Sequence, residues 1–199
     1  MKRLHRTLLS IAAAATLGTL VHLPASAQQV IKLTATAGHP PVFLWVKTMD
    51  EVFIPEVDKR LVAAGNKYKI EWTKAWGGTL IKLGSESKGV ADGIADIGLI
   101  STIFEAAKFP MQNVSYFTPF GSNDVSVVSK TISDMQTRIP AMADAWNKNG
   151  LTYLNGMALD SYHIWTKFPV TKIEDLQGKK LSAPGPAANW VKGTGAVAV

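Results

Sequence analysis

The chain has 199 residues, no cysteine and a formal charge of +6. Without cysteine there is neither a disulfide framework nor a thiolate metal site, so stability must come from an apolar core. Three of the basic residues, Lys2, Arg3 and Arg6, lie at the extreme amino terminus.

Lys2, Arg3, His5 and Arg6 precede an apolar, Ala/Leu-rich run from Leu8 to Leu23, and Ala25, Ser26 and Ala27 form a small-x-small site. This is the pattern of an export signal cleaved after Ala27. The apolar run is short of the ~20 residues a membrane span needs and stops at Pro24. Nothing after it is long and apolar enough to span. Cleavage would leave 172 residues, enough for one complete domain, with 18 basic against 15 acidic residues and a formal charge of +3. With no Lys/Arg cluster interleaved with aromatics, that balance excludes a nucleic-acid footprint.

Val30 to Ala37 alternates apolar and polar residues as a strand does, and ends at Gly38, His39, Pro40 and Pro41. Phe43, Val46, Met49, Phe53, Val57 and Leu61 then recur at helical spacing up to Gly65 and Asn66, with Pro55 expected to kink or divide the helix. A second strand is predicted over Tyr68 to Ala75, running out at Trp76, Gly77 and Gly78. Helical spacing returns from Leu80 to Val90, and Ile94 to Ser101 reads as a third strand. Strand, helix, strand, helix, strand predicts a parallel sheet with covering helices. Its strand ends would converge at His39, Trp76 and Ser101, on the edge where α/β sheets bind ligands.

An aromatic, proline-punctuated stretch follows from Phe104 to Phe120. Asp124 to Asn149 reads as helical, capped by Asp124 and divided at Pro140. Leu151 to Ala158 and Tyr162 to Thr166 read as strands. Val170 to Gly185 holds an Asp175, Leu176 turn stopped by Gly178, the pair Lys179 and Lys180, and a brief buried strand from Leu181 to Ala183 broken by Pro184 and Gly185. A short helix is expected around Ala187 to Lys192. Ala196 to Val199 is strand-like with no helix to cover it, so the chain is expected to be a fragment.

The Val170 to Gly185 stretch resembles the periplasmic substrate-binding proteins of tripartite (TRAP) transporters, the C4-dicarboxylate-binding family. That family carries an Asp-Leu-(Lys/Gln)-Gly-x-Lys-(Ile/Leu)-Arg segment at this point. Further features recur in order: Trp76, Gly77, Gly78 and Leu80; Asp96, Ile97 and Gly98; Pro119 and Phe120; Gly150, Leu151 and Leu154, which resemble the family's strand crossing between domains; and Gly195, Ala196 and Val199. The resemblance implies a hinged, two-lobed α/β binding protein: signal 1–27, first lobe with crossover helix 28–152, and a partial second lobe 153–199. It also implies a periplasmic location, a small organic acid as ligand, TRAP membrane permease subunits as partners, and neither a cofactor nor catalysis.

The departure is Ser182, which stands where the family usually has a carboxylate-binding arginine. Beyond the signal the arginines are Arg60 and Arg138, both on predicted helices. An arginine fork meets a carboxylate through charge-assisted bonds worth ~1.5–3 kcal/mol each, whereas a serine offers one uncharged donor. The ligand is therefore expected to be a bulkier, more apolar monocarboxylate, or one held through hydroxyls. Candidate contacts are His39, Trp76, Ser101 and Phe120 from the first lobe and Tyr162, Ser182 and Asn189 from the second, with Phe43, Trp190, Lys179 and Lys180 nearby. Asp92 and Asp96 read as local caps rather than paired catalytic acids. Gly193, Gly195 and Ala198 approximate Gly-x-Gly-x-x-Ala without the strand-to-helix turn that motif needs. An exported hydrolase and a transporter-independent sensor are the rival readings. Against the first, no Gly-x-Ser-x-Gly elbow or His-Glu-x-x-His occurs, and His39 and His163 are the histidines left after processing.

Overall fold

The computed structural model of the protein describes residues 28–118, 121–159 and 161–199. The expected export signal and Phe120 lie outside the described residues. β1 (Gln29–Ala37) runs between two parallel neighbours, β2 (Tyr68–Ala75) and β3 (Ile97–Leu99), in the order β2-β1-β3. Thr36 stands opposite both Ala75 and Gly98, so all three strands end at one edge. Ala35, Thr36 and Ala37 are buried there.

The two faces of the sheet are covered separately. On one, α1 (Leu44–Thr48), a π-helical turn (Met49–Phe53) and α2 (Ile54–Ala63) pack Met49 and Ile54 on Ala35, with Phe53, Trp72, Trp76, Ile97 and Leu99 around them. Pro55 falls in the first turn of α2. The expected division is thus a widened, π-helical turn just before the proline, inside one continuous helical run. Trp72 Nε1 donates to Asp58 at 3.1 Å, tying α2 to β2. On the other face α3 (Glu86–Ala91) comes so near that a Cβ on Gly98 would lie 2.7 Å from Val90 Cγ2.

α3 begins later than the Leu80 the spacing predicts, because Gly84 takes a left-handed φ of 80° and breaks the run. β3 is shorter than Ile94 to Ser101. Its first residues complete a turn through Gly93, and its last lead into a 3₁₀ turn at Thr102–Glu105. Asp96 is not a local cap: it accepts from Thr34 N of β1 at 2.7 Å, fastening the start of β3. Asp92 does stay local, pairing with Lys88.

α4 (Val125–Arg138) opens on Asp124, whose carboxylate accepts from Ser126 N at 2.8 Å and Val127 N at 3.2 Å. α5 (Pro140–Lys148) starts at the proline that was expected to divide the helix. It carries Trp146 into a second core with Phe109 and Leu151, ring centroids 4.5 Å from Phe109 and 5.6 Å from Tyr153. Beyond it, Leu151 to Leu159 and Ser161 to Thr166 are neither helix nor strand, against the two strands expected. A strand exists by pairing, and no strand lies beside these segments among the described residues. Leu154, Ile164 and Trp165 are accordingly exposed.

The last unit is a parallel pair, β4 (Lys180–Leu181) with β5 (Val197–Ala198), preceded by a 3₁₀ turn at Ile173–Leu176 that buries Leu176. β4 is two residues long and half exposed, not the buried strand predicted to reach Ala183. Gly193 to Gly195 leads into β5, not into a helix, so it is no dinucleotide loop. A 3₁₀ turn at Gly185–Trp190 brings this unit against the first. A Cβ on Gly185 would lie 2.4 Å from the Ile103 carbonyl oxygen.

Gly38, at the end of β1, is a second close approach: a Cβ there would meet Glu86 Oε1 at 2.3 Å and Leu83 Cα at 2.6 Å. Gly38→Ala is therefore expected to lower stability by about 1–3 kcal/mol through overpacking. Gly121→Ala, whose Cβ would find ordinary contact at 3.7 Å from the Thr118 carbonyl, should leave it unchanged. Urea-unfolding midpoints of the two variants check this.

Candidate functional site

The loops at the carboxyl ends of β1 and β2 are joined through the backbone: Gly77 N donates to His39 O at 2.9 Å and Gly78 N to Ala37 O at 3.0 Å. Both glycines have positive φ, near 70°, which is what lets consecutive amides turn back onto β1. His39 is held in place by this loop and by the ring cluster around it. Its centroid lies 4.9 Å from Phe43, 5.0 Å from Trp45 and 5.8 Å from Phe104, and Phe43 and Trp45 are themselves 4.7 Å apart. Its Nδ1 is 3.3 Å from Ser101 Oγ at the end of β3. The strand-end rule thus brings His39 and Ser101 together.

Trp76, from the same edge, packs against the core under the sheet, with Nε1 3.4 Å from Asp50 Oδ2. Tyr162 belongs to a different cluster. Its hydroxyl is 2.7 Å from that of Tyr116, and its ring is 5.4 Å from Trp190, whose Nε1 donates to Tyr116 O at 2.7 Å. Burial and the Tyr162 hydroxyl push the Tyr116 phenol well above its ordinary range. Asn189 lies late in the Gly185–Trp190 turn, not at a helix start, and accepts from Lys192 Nζ at 2.7 Å. Ser182 is exposed just past β4. Lys179 sits 4.9 Å from the Phe168 ring. Neither arginine reaches the strand ends: Arg60 pairs with Glu56 on α2, and Arg138 lines a shallow hollow with Thr131, Asp134 and Ile139.

Behind the His39 loop lies a polar network that sequence reasoning missed. Glu86 is fully buried, accepting from Gly84 N at 2.7 Å, and burial pushes its carboxyl up. Glu105 accepts from Ser87 N at 3.0 Å, from Ser87 Oγ and from Lys108 Nζ at 2.9 Å. Burial alone would raise its carboxyl, but these bonds outweigh it and hold it low. The cue was faint: a glutamate within one turn of a glycine-broken helix start. Phe104 was equally hidden, although Ser101 is three residues before it and their backbones close a 3.0 Å bond, one 3₁₀ turn. Among the described residues no group of acidic or histidine side chains gathers to hold a metal, and no helix is long and apolar enough to cross a membrane.

Residues 63–199 match the model of the bacterial extracellular solute-binding protein family 7. The chain belongs to this family. Among solved structures it is similar to a TRAP periplasmic solute-binding protein from Desulfovibrio salexigens in an open complex, at 25% identity and TM-score 0.68, covering 85% of this chain and 50% of that one. A Bordetella pertussis extracytoplasmic solute receptor binding pyroglutamic acid matches at 20% identity and TM-score 0.60, covering 85% and 53%. A Bordetella bronchiseptica TRAP periplasmic solute-binding protein with bound (R)- and (S)-mandelate matches at 21% identity and TM-score 0.62, covering 85% and 51%. The chain spans about half the length of the structures it matches. The fold is the α/β arrangement of two-lobed periplasmic binding proteins, as the resemblance implied.

Burial holds the His39 ring below its ordinary value of 6.5, so the folded state keeps it neutral while the unfolded chain takes up the proton more readily. Its contribution to stability is present above pH 6.5 and is lost as pH falls through the lower folded value. Glu105, depressed from 4.5, loses its contribution in a separate, more acidic window. His39→Gln is expected to flatten the stability profile just below pH 6.5 while leaving the carboxylate window intact. Denaturant midpoints measured across that range check it.

Proposed function

We propose that the protein is the extracytoplasmic binding component of a TRAP-type transporter, capturing a small organic acid in the periplasm and delivering it to membrane permease subunits. Family membership is the observation that carries this reading. Two of the similar structures bind organic acids, pyroglutamate and mandelate. The ligand sits at the carboxyl edge of β1, β2 and β3, touching His39 and Ser101, while Tyr162, Ser182 and Asn189 close on it from the other side. Closure follows from differential affinity, because a ligand touching both units stabilises the arrangement in which they meet. The protein turns nothing over. It works after its export signal is removed at Ala27, as a carrier outside the membrane.

The test is a thermal-shift panel on the purified full-length protein with mono- and dicarboxylates and their neutral amides. A ligand at a hundred times its Kd adds ~2.7 kcal/mol of stability, an upward shift of a few degrees. Acids are expected to raise Tm and the amides to leave it unchanged, with Ser182→Ala reducing the shift. A protein that melts cooperatively and responds to no acid would end this reading.

A further inference from the structure

We propose that the cluster of His39, Phe43, Trp45 and Phe104, with Ser101, is a subsite for a ring-bearing monocarboxylic acid, the ring lying among the aromatics and the carboxylate on the His39–Ser101 pair. This rests on the reading of the strand-end edge as a binding site and names the chemical class it takes. Phe43 and Phe104 are 38% and 41% exposed, so each keeps an outward face while lying within 6 Å of the His39 ring. At these distances the four rings already touch one another, so a ligand ring lies against the outward faces that Phe43 and Phe104 keep exposed, in offset or edge-on contact.

The polar pair has one proton to spare. A neutral imidazole and a hydroxyl hold two N–H or O–H protons between them, and the 3.3 Å contact from Ser101 Oγ to His39 Nδ1 uses one. Whichever group donates in that contact, one donor remains for a ligand oxygen. The Trp45 indole N–H, in the same cluster, is buried without a hydrogen-bond partner among the described residues. These donors are uncharged. They suit one carboxylate flanked by an apolar body, and give no counter-charge to a second carboxylate. The subsite therefore selects against dicarboxylates.

Calorimetric titration of the full-length protein with phenylacetate, propionate and succinate tests this. Phenylacetate is expected to bind about tenfold or more tighter than either aliphatic acid, and Phe104→Ala to remove about tenfold of that affinity while leaving propionate unchanged. Phe43→Ala serves as a second variant, and cooperative melting of each shows that it folds. Tighter binding of succinate or propionate, or phenylacetate affinity unchanged in both variants, overturns the subsite and leaves organic-acid capture standing. Binding of no acid at all overturns both.

Discussion

Parallel pairing on both sides of β1 is the constraint from which the rest of the molecule follows. A parallel pair cannot be closed by a tight turn, so the chain must cross over between strands, and each crossover here is a helix laid on a face of the sheet. The same pairing sends every strand end to one edge. His39 and Ser101 come from positions 62 residues apart, and they meet because Ala37 pairs with Leu99. Residue chemistry decides what that edge can hold, but backbone hydrogen bonding decides that there is an edge at all.

The first unit was largely legible in the sequence, for a physical reason. Alternation in Tyr68 to Ala75 reflects a strand with one face more buried than the other. Val30 to Ala37 alternates until Ala35, Thr36 and Ala37 are buried in succession between helices on both faces, and the glycines after the two strands mark where the backbone had to turn. What the pattern could not show was where pairing stops. Helical spacing continues across Gly84, yet the left-handed backbone there delays the helix to Glu86. β3 could not be trimmed to Ile97–Leu99 without knowing that Asp96 is held by Thr34 of β1. In the second unit, the apolar runs at Leu151 to Ala158 and Tyr162 to Thr166 look like strands because their side chains suit a sheet, but strand geometry depends on a neighbour that no local pattern supplies.

The candidate site divided along the same line. His39 and Ser101 were readable because they terminate strands, a position set by topology. Tyr162 and Trp190 were read as aromatics near a cleft, and the structure places them on Tyr116. Trp45, Phe104, Glu86 and Glu105 escaped notice because their importance lies in which rings and amides they meet across many residues of chain. The buried carboxyl groups shape the loop from behind. Glu86 and the Leu83 backbone fill the space beside Gly38, and Glu105 gathers Ser87 and Lys108.

Where Gly185 meets Ile103, the two units touch main chain to main chain. At this point their separation is gauged by the radii of backbone atoms. A side chain at that one position would act as a wedge, prising the units apart by its own thickness. The junction thus combines one point fixed by a missing methyl group with a neighbouring patch, Trp190 and Tyr162 on Tyr116, that side chains can reshape.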